Sequence, residues 1–262
     1  VIFGRMVVAS LCFSVFIPRF RATPRLLRKD LRPLLFMALC EPCLYFIFEA
    51  RALQLTTASQ AGMITALLPL MVAVAARFVL KETLTGSMLT GFAMAIAGAI
   101  WLSLAGEASA DAPQPLLGNF LEFMAMVCAT GYIISLKRLT RRYTPFFLTA
   151  VQAFVGAVFF FPFLGLPSTA LPSRWAWGPT LAIVYLGAVI TLGAYGLYNH
   201  GVSRIPASQA SIFVNLIPVF TVFLGWLILD ERFTGAQYLA SALVFAGIYI
   251  SQRRSSEAAP EG

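Results

Sequence analysis

The 262-residue chain is 59% hydrophobic and only 11% charged, with a mean hydropathy of +0.82. A soluble domain carries about twice that charge, and no stretch here is polar enough to form one. The net charge of +8 would suit nucleic acid, but the basic residues sit in short segments between apolar runs, where they orient membrane helices instead.

A helix crosses the hydrocarbon core with about 20 apolar residues. Runs of that kind predict nine spans, at 1–18, 33–50, 57–80, 86–105, 116–136, 145–166, 175–198, 206–229 and 235–251. The expected fold is an all-α polytopic membrane protein. The loop after the first span holds Arg19, Arg21, Arg25, Arg28, Lys29 and Arg32. Alternate loops then add Lys81; Lys137, Arg138, Arg141 and Arg142; Arg204; and the tail residues Arg253 and Arg254. The intervening loops hold Arg51, Arg174 and Arg232 beside Glu107, Asp111, Asp230 and Glu231. Fourteen basic residues against three place the first loop and the C-terminus in the cytoplasm. Localisation to the cytoplasmic (inner) membrane of a bacterium follows as the expectation. The polar residues 255–262 are expected to be a disordered cytoplasmic tail.

The chain repeats itself at an offset of 149. Ala58-Ser59-Gln60-Ala61 returns as Ala207-Ser208-Gln209-Ala210. Pro69 pairs with Pro218, Leu80 with Leu229, Glu82 with Glu231, Thr85-Gly86 with Thr234-Gly235, and Gly98 with Gly247. Between 58 and 98 there are 13 identities in 41 gapless positions. Two repeats result, at 1–106 and 115–254. The span at 116–136 has no counterpart at that offset, because its partner would precede Val1. The expected parent design is therefore ten helices in two five-helix halves, with the first helix missing here. An odd number of helices per half inverts the second half relative to the first, a plan common in secondary transporters.

These residues resemble the EamA family of the drug/metabolite transporter superfamily. The pattern is Ala52-Leu53, Thr57-Ala58-Ser59-Gln60-Ala61, Pro69 and Leu80-Lys81-Glu82-Thr83-Leu84-Thr85-Gly86, with its return at Ala207-Ser208-Gln209-Ala210, Pro218 and Leu229-Asp230-Glu231-Arg232. The resemblance implies ten helices, both termini inside, and transport of small metabolites, often export.

Physical roles follow for the repeated residues. Ser59 and Ser208 lie near span starts, where a hydroxyl can cap free N–H groups. Pro42, Pro69 and Pro218 each remove a helix hydrogen bond, giving a pivot for alternating access or a static bend. Glu82 and Glu231 precede Thr-Gly and are expected to cap the helix that follows them. Gly91, Ala95 and Ala99, and likewise Ala242 and Ala246, predict close helix packing. The aromatic run from Phe159 to Phe163 predicts a lipid-facing or interfacial band.

Ionisable groups inside a membrane cost about 2.5–3.5 kcal/mol each on insertion scales and are functional candidates by default. Three acids qualify: Glu41, Glu49 and Glu122. Glu41, Tyr45 and Glu49 follow i, i+4, i+8 spacing, which predicts one polar stripe on a helix face. Such a stripe would bind a cationic or zwitterionic substrate or exchange protons with it. The alternative is a structural ion pair with Arg5 or Arg51. In the second half Tyr195, Tyr198 and Asn199 end the helix equivalent to that of Glu41. Asn215, one turn before Pro218, is expected to bond the carbonyls freed there. Trp101, Tyr132 and Trp226 are packing residues or ligand-stacking platforms. His200 suits a helix end or a headgroup contact. Cys40 and Cys43 form a C-x-x-C, which inside an apolar span indicates buried thiols rather than redox or zinc chemistry.

No metal cluster, nucleotide-binding glycine loop or nucleophile elbow is visible, so neither an enzyme nor a cofactor is expected. The expected partners are a small-molecule substrate and membrane lipids, with no nucleic acid. The expected function is secondary active transport of small polar metabolites, amino acids or related compounds, in the export direction. Alternating access would turn on a central cavity between the repeats. The competing readings are a non-transporting membrane scaffold and a lipid-modifying intramembrane protein.

Overall fold

The computed structural model describes residues 1–16, 27–83, 85–106, 108–166 and 176–253. Arg19, Arg21, Arg25, Glu107, Arg174, Arg254 and the expected disordered tail lie outside the described residues.

Among the described residues all regular structure is helical. The helices are α1 (Ile2–Val15), α2 (Arg28–Ala52), α3 (Ala58–Val79), α4 (Gly86–Leu104), α5 (Pro115–Leu139), α6 (Pro145–Phe160), α7 (Trp177–Arg204), α8 (Ala207–Ile228) and α9 (Gly235–Arg253). Seven helical stretches are long and apolar enough to cross a membrane; α1 and α9 are shorter apolar helices. Every predicted span is a helix, with boundaries moved by a few residues. Several starts are set by local chemistry. Thr57, Thr85 and Thr144 each accept a hydrogen bond from the N–H three residues on. Thr234 does the same for Gln237, whose side-chain oxygen accepts from the Thr234 N–H to complete a capping box.

Four helices are interrupted. Proline is involved in three of the breaks, and in α3 and α8 the break falls just before it. Pro69 has no N–H to give the carbonyl of Thr65, and α3 divides into Ala58–Thr65 and Leu68–Val79. Pro218 denies a donor to Val214, and α8 passes through a 3₁₀ turn at Phe213–Asn215 before resuming at Leu216. In α2 a wide turn spans Leu39–Leu44, and Glu41 is extended at φ −146° and ψ 121°. A wide turn at Leu186–Ala194 interrupts α7.

The chain divides into two compact units, each built from both sequence repeats. One comprises Val1–Phe46 with Gly131–Pro206, and the other Ile47–Thr130 with Ala207–Gly262. In the first unit α1 packs on α6 and on the wide turn of α7. Glycines permit the close approach: a Cβ on Gly187 would strike Val8 and the Arg5 carbonyl, and one on Gly156 would strike Pro42 and Met6. At one edge of this unit Tyr143 donates to Asp30 at 2.7 Å, beside Arg142. Lys137 donates to the carbonyls of Val202 and Ile205 at the end of α7. A cation there complements the helix C-terminus.

The second unit holds an apolar core from α3, α4 and α9, including Met63, Leu67, Leu70, Leu102 and Val244. Helices α4 and α9 touch backbone to backbone. A Cβ on Gly91 would collide with the Gly247 carbonyl and Ser251, and one on Gly98 with Val244 and the Ala240 carbonyl. Early residues of α4 thus face late residues of α9, so these repeat-mates run antiparallel, as an inverted duplication requires. The small-residue expectation holds for Gly91, Ala95 and Ala99, all buried, but not for the α9 pair. Ala242 is exposed, and the packed face is Ala240, Val244, Gly247 and Ser251. A period of 3.6 selects that set once α4 fixes which side of α9 is covered.

The two repeated glutamates also differ from expectation. Glu82 does not cap α4, which Thr85 caps. Its carboxylate accepts from the N–H groups of Ala207 at 3.0 Å and Ser208 at 3.3 Å, at the start of α8. Glu231 accepts from Ala58 at 3.0 Å and Ser59 at 2.9 Å, at the start of α3. Each acid therefore caps the repeat-mate of its own preceding helix. Both follow a left-handed residue, Lys81 at φ 61° and Asp230 at φ 52°. The serines are not the caps: the Ser208 hydroxyl donates to Glu82, and that of Ser59 is directed to the Thr221 carbonyl at 3.5 Å.

Candidate functional site

In the first unit a polar network lies inside apolar helices. Asn199 of α7 is fully buried and occupies its centre. It accepts from the hydroxyl of Tyr132 in α5 and donates to Thr149 at 2.8 Å and to the Gln152 side-chain oxygen at 3.3 Å, both in α6. Gln152 donates onward at 2.9 Å to the backbone carbonyl of Glu41. The break at Glu41 is what turns that carbonyl away from its own helix, so the proline beside it supplies an acceptor to the interior. The buried Glu41 side chain lies within electrostatic reach of Tyr132 and Tyr198. The Tyr198 hydroxyl is buried with no hydrogen-bond partner among the described residues.

Beside this network is a cavity of about 10 Å³ lined by Arg5, Glu41, Thr149, Gln152, Thr191 and Tyr195, among others. A space of that size holds one water at most. The Arg5 guanidinium donates to Thr191 at 2.8 Å and stacks over Phe46 and Tyr195, with centroid distances of 4.7 and 5.6 Å. Thr191 is available because the wide turn in α7 lets its hydroxyl donate five residues back, to Leu186.

The second unit holds a separate polar cluster. Asn119 of α5 accepts from Thr56 at 2.8 Å and donates to Gln60 at 3.0 Å and Ser103 at 3.1 Å. One turn on, Glu122 is 2% exposed and faces Thr65 at 3.2 Å. Its other carboxyl oxygen is buried without a hydrogen-bond partner among the described residues, and Glu49 lies within electrostatic reach.

The structure thus brings Glu41, Tyr195, Tyr198 and Asn199 into one neighbourhood, and Glu49 and Glu122 into another. The stripe through Glu41, Tyr45 and Glu49 presupposed a continuous helix. The extended conformation at Glu41 breaks that register, and only Tyr45 and Glu49 share the helical segment after it. Asn215 does not bond the carbonyls near Pro218; both its side-chain polar atoms are buried without hydrogen-bond partners among the described residues. The thiols of Cys40, Cys43 and Cys128 are buried and that of Cys12 is half-buried. Residues missed in the sequence are Thr149 and Gln152, three apart on one face of an otherwise apolar span, and Thr65 and Thr191. Arg5, expected as an ion-pair partner for the acids, instead donates to Thr191 and stacks on two rings.

The model of the EamA-like transporter family matches residues 1–104 and again 116–252. The chain belongs to that family. This EamA-like chain is 27% identical over 233 residues to the uncharacterized transporter YetK of Bacillus subtilis, covering 87% of itself and 70% of that protein. It is 30% identical over 185 residues to a probable amino-acid metabolite efflux pump of Escherichia coli, covering 66% of itself and 60% of that protein. A protein of known crystal structure shares the fold with a TM-score of 0.64 at 21% identity, over 96% of this chain and 87% of the other. The chain is accordingly an integral membrane protein of a transporter family.

Proposed function

We propose that this EamA-like protein is a secondary active exporter of small polar metabolites, amino acids or related compounds, in a bacterial cytoplasmic membrane with its C-terminus inside. The supporting observation is the meeting of Arg5 and Glu41 on one cavity. A guanidinium receives a carboxylate and a carboxylate receives an ammonium, the two ends of a zwitterion. Thr149, Gln152 and Thr191 offer neutral hydrogen bonds around them, and Tyr195 offers an aromatic face. At about 10 Å³ the cavity excludes an amino acid, so loading requires it to open, as alternating access demands. The breaks beside Pro42, Pro69 and Pro218 are the positions where such motion costs the fewest helix hydrogen bonds. The name of the Escherichia coli relative supports the same substrate class. The repeats 1–106 and 115–254 are the units of duplication, and the substrate passes without any cofactor.

The test is counterflow of labelled metabolites in proteoliposomes, using a panel of amino acids with amines and organic acids as comparison. Uptake of at least one zwitterion is expected, with loss in both Arg5→Gln and Glu41→Gln. No flux of any panel compound by the wild-type protein refutes the proposal. Flux that survives both substitutions refutes the assignment of the cavity.

A further inference from the structure

Glu122 has an unusual arrangement of partners. Among the described residues its buried carboxyl meets one hydroxyl, that of Thr65, and a hydroxyl carries a single hydrogen. Two acceptors compete for that hydrogen: the Ala61 carbonyl at 3.1 Å and the Glu122 carboxyl oxygen at 3.2 Å. If Glu122 is ionised, the hydrogen must turn to it, because a buried carboxylate without a donor is costly. If Glu122 is protonated, the hydrogen can return to Ala61 and the carboxyl O–H can donate to the threonine oxygen. The protonation of one acid thus chooses between two hydrogen-bond arrangements in α3.

Thr65 is the last residue of the first α3 segment. Its own carbonyl receives nothing from Pro69, which lacks an N–H. The choice is therefore made at the edge of the break, where α3 is least constrained. The arrangement is not duplicated in the other repeat: 149 residues on from Thr65 stands Val214, which has no hydroxyl.

We propose that Glu122 carries the coupling proton and that Thr65 transmits its protonation state to the break in α3. In each cycle one proton from the outer aqueous phase adds to the carboxylate, neutralising it. The same proton leaves to the cytoplasmic side, restoring the charge. Among the described residues Glu49 of α2 is the titratable neighbour within electrostatic reach. Thr65 of α3 is the neutral group in hydrogen-bond contact with Glu122. The proposal rests on the reading of the chain as a secondary transporter, but its test needs no substrate.

The test places spin labels at Gln54, before α3, and at Phe78, in its last turn, both exposed and on opposite sides of the break, in a cysteine-free protein in lipid nanodiscs. The distance distribution is read at acid and alkaline pH. A pH-dependent shift is expected in the wild-type background. Glu122→Gln should hold the acid-state distance at both pH values, Thr65→Val should lose the shift, and Thr65→Ser should keep it. Infrared difference spectra should show a titrating carboxyl band that disappears in Glu122→Gln and persists in Thr65→Val, which a merely structural role would not produce. A wild-type distance indifferent to pH, or a shift that survives in Thr65→Val, overturns the proposal. The threonine pair keeps the test decisive should Glu122→Gln fail to fold. A pH-driven shift with no metabolite flux would refute the amino-acid reading alone; flux without the shift would refute this inference alone.

Discussion

Replacing Glu82 with Ala removes the acceptor for three donors at once: the N–H of Ala207 at 3.0 Å, the N–H of Ser208 at 3.3 Å and the Ser208 hydroxyl at 2.5 Å. Loss of a helix cap costs about 0.5–2 kcal/mol, and the charge at a helix N-terminus adds about 0.3–1 kcal/mol where it is exposed. Glu82 is half-buried, so about 2 kcal/mol is expected in all. The loss is local, because the rest of α8 keeps its own contacts. Hydrogen exchange read by mass spectrometry should therefore show roughly 30-fold faster exchange at residues 207–210. Residues 86–89 should be unchanged, since Thr85 caps α4 independently. Glu231→Ala should act in the same way on residues 58–60, more weakly at Gln60, whose N–H is held by Thr57. Faster exchange at 86–89 in Glu82→Ala would refute the reasoning, because it would mean that the acid serves the helix next to it in sequence. So would unchanged exchange at 207–210.

Two further outcomes follow from packing and ionisation. Gly91→Leu should lower the unfolding temperature in detergent, with a cost of about 1–3 kcal/mol or more, because its side chain must displace the Gly247 backbone. Ala93→Leu, on the exposed side of the same helix, should leave the temperature nearly unchanged. At the edge of the first unit, burial and the hydrogen bond to Asp30 raise the Tyr143 phenol above its ordinary value. The native state therefore favours the protonated phenol, so its contribution is complete below about pH 10 and is lost as pH rises through the higher native value. Thermal unfolding followed into alkali should show that loss in the wild type, and Tyr143→Phe should flatten it.

Much of this architecture was legible in the residues. Apolar runs of span length became helices because backbone groups in lipid have to be satisfied within the segment. The threonines before Gly86 and Gly235 cap their helices, and breaks lie beside Pro42, Pro69 and Pro218, because both effects act within one turn of the residue that causes them. The buried acids Glu41 and Glu122 could be singled out by their cost in an apolar span. The repeat at an offset of 149 already implied two copies of one unit. The antiparallel packing of α4 on α9 gives that duplication its inverted form.

What the sequence could not supply was the partner of each polar group. Glu82 stands three residues before Thr85 and faces α4 in any local reading, yet it caps a helix 125 residues away. Gln152 looks like a stray amide until the break at Glu41 turns a carbonyl toward it. Asn199 shares its helix with Tyr195, but its three partners come from α5 and α6. By itself the sequence determined where the chain becomes helical, where those helices break and which charges lie within them, because those outcomes depend on interactions over one or two turns. Only the tertiary structure decided which helix each charge and amide serves, because hydrogen-bond geometry acts over about 3 Å between atoms whose separation along the chain bears no relation to that distance.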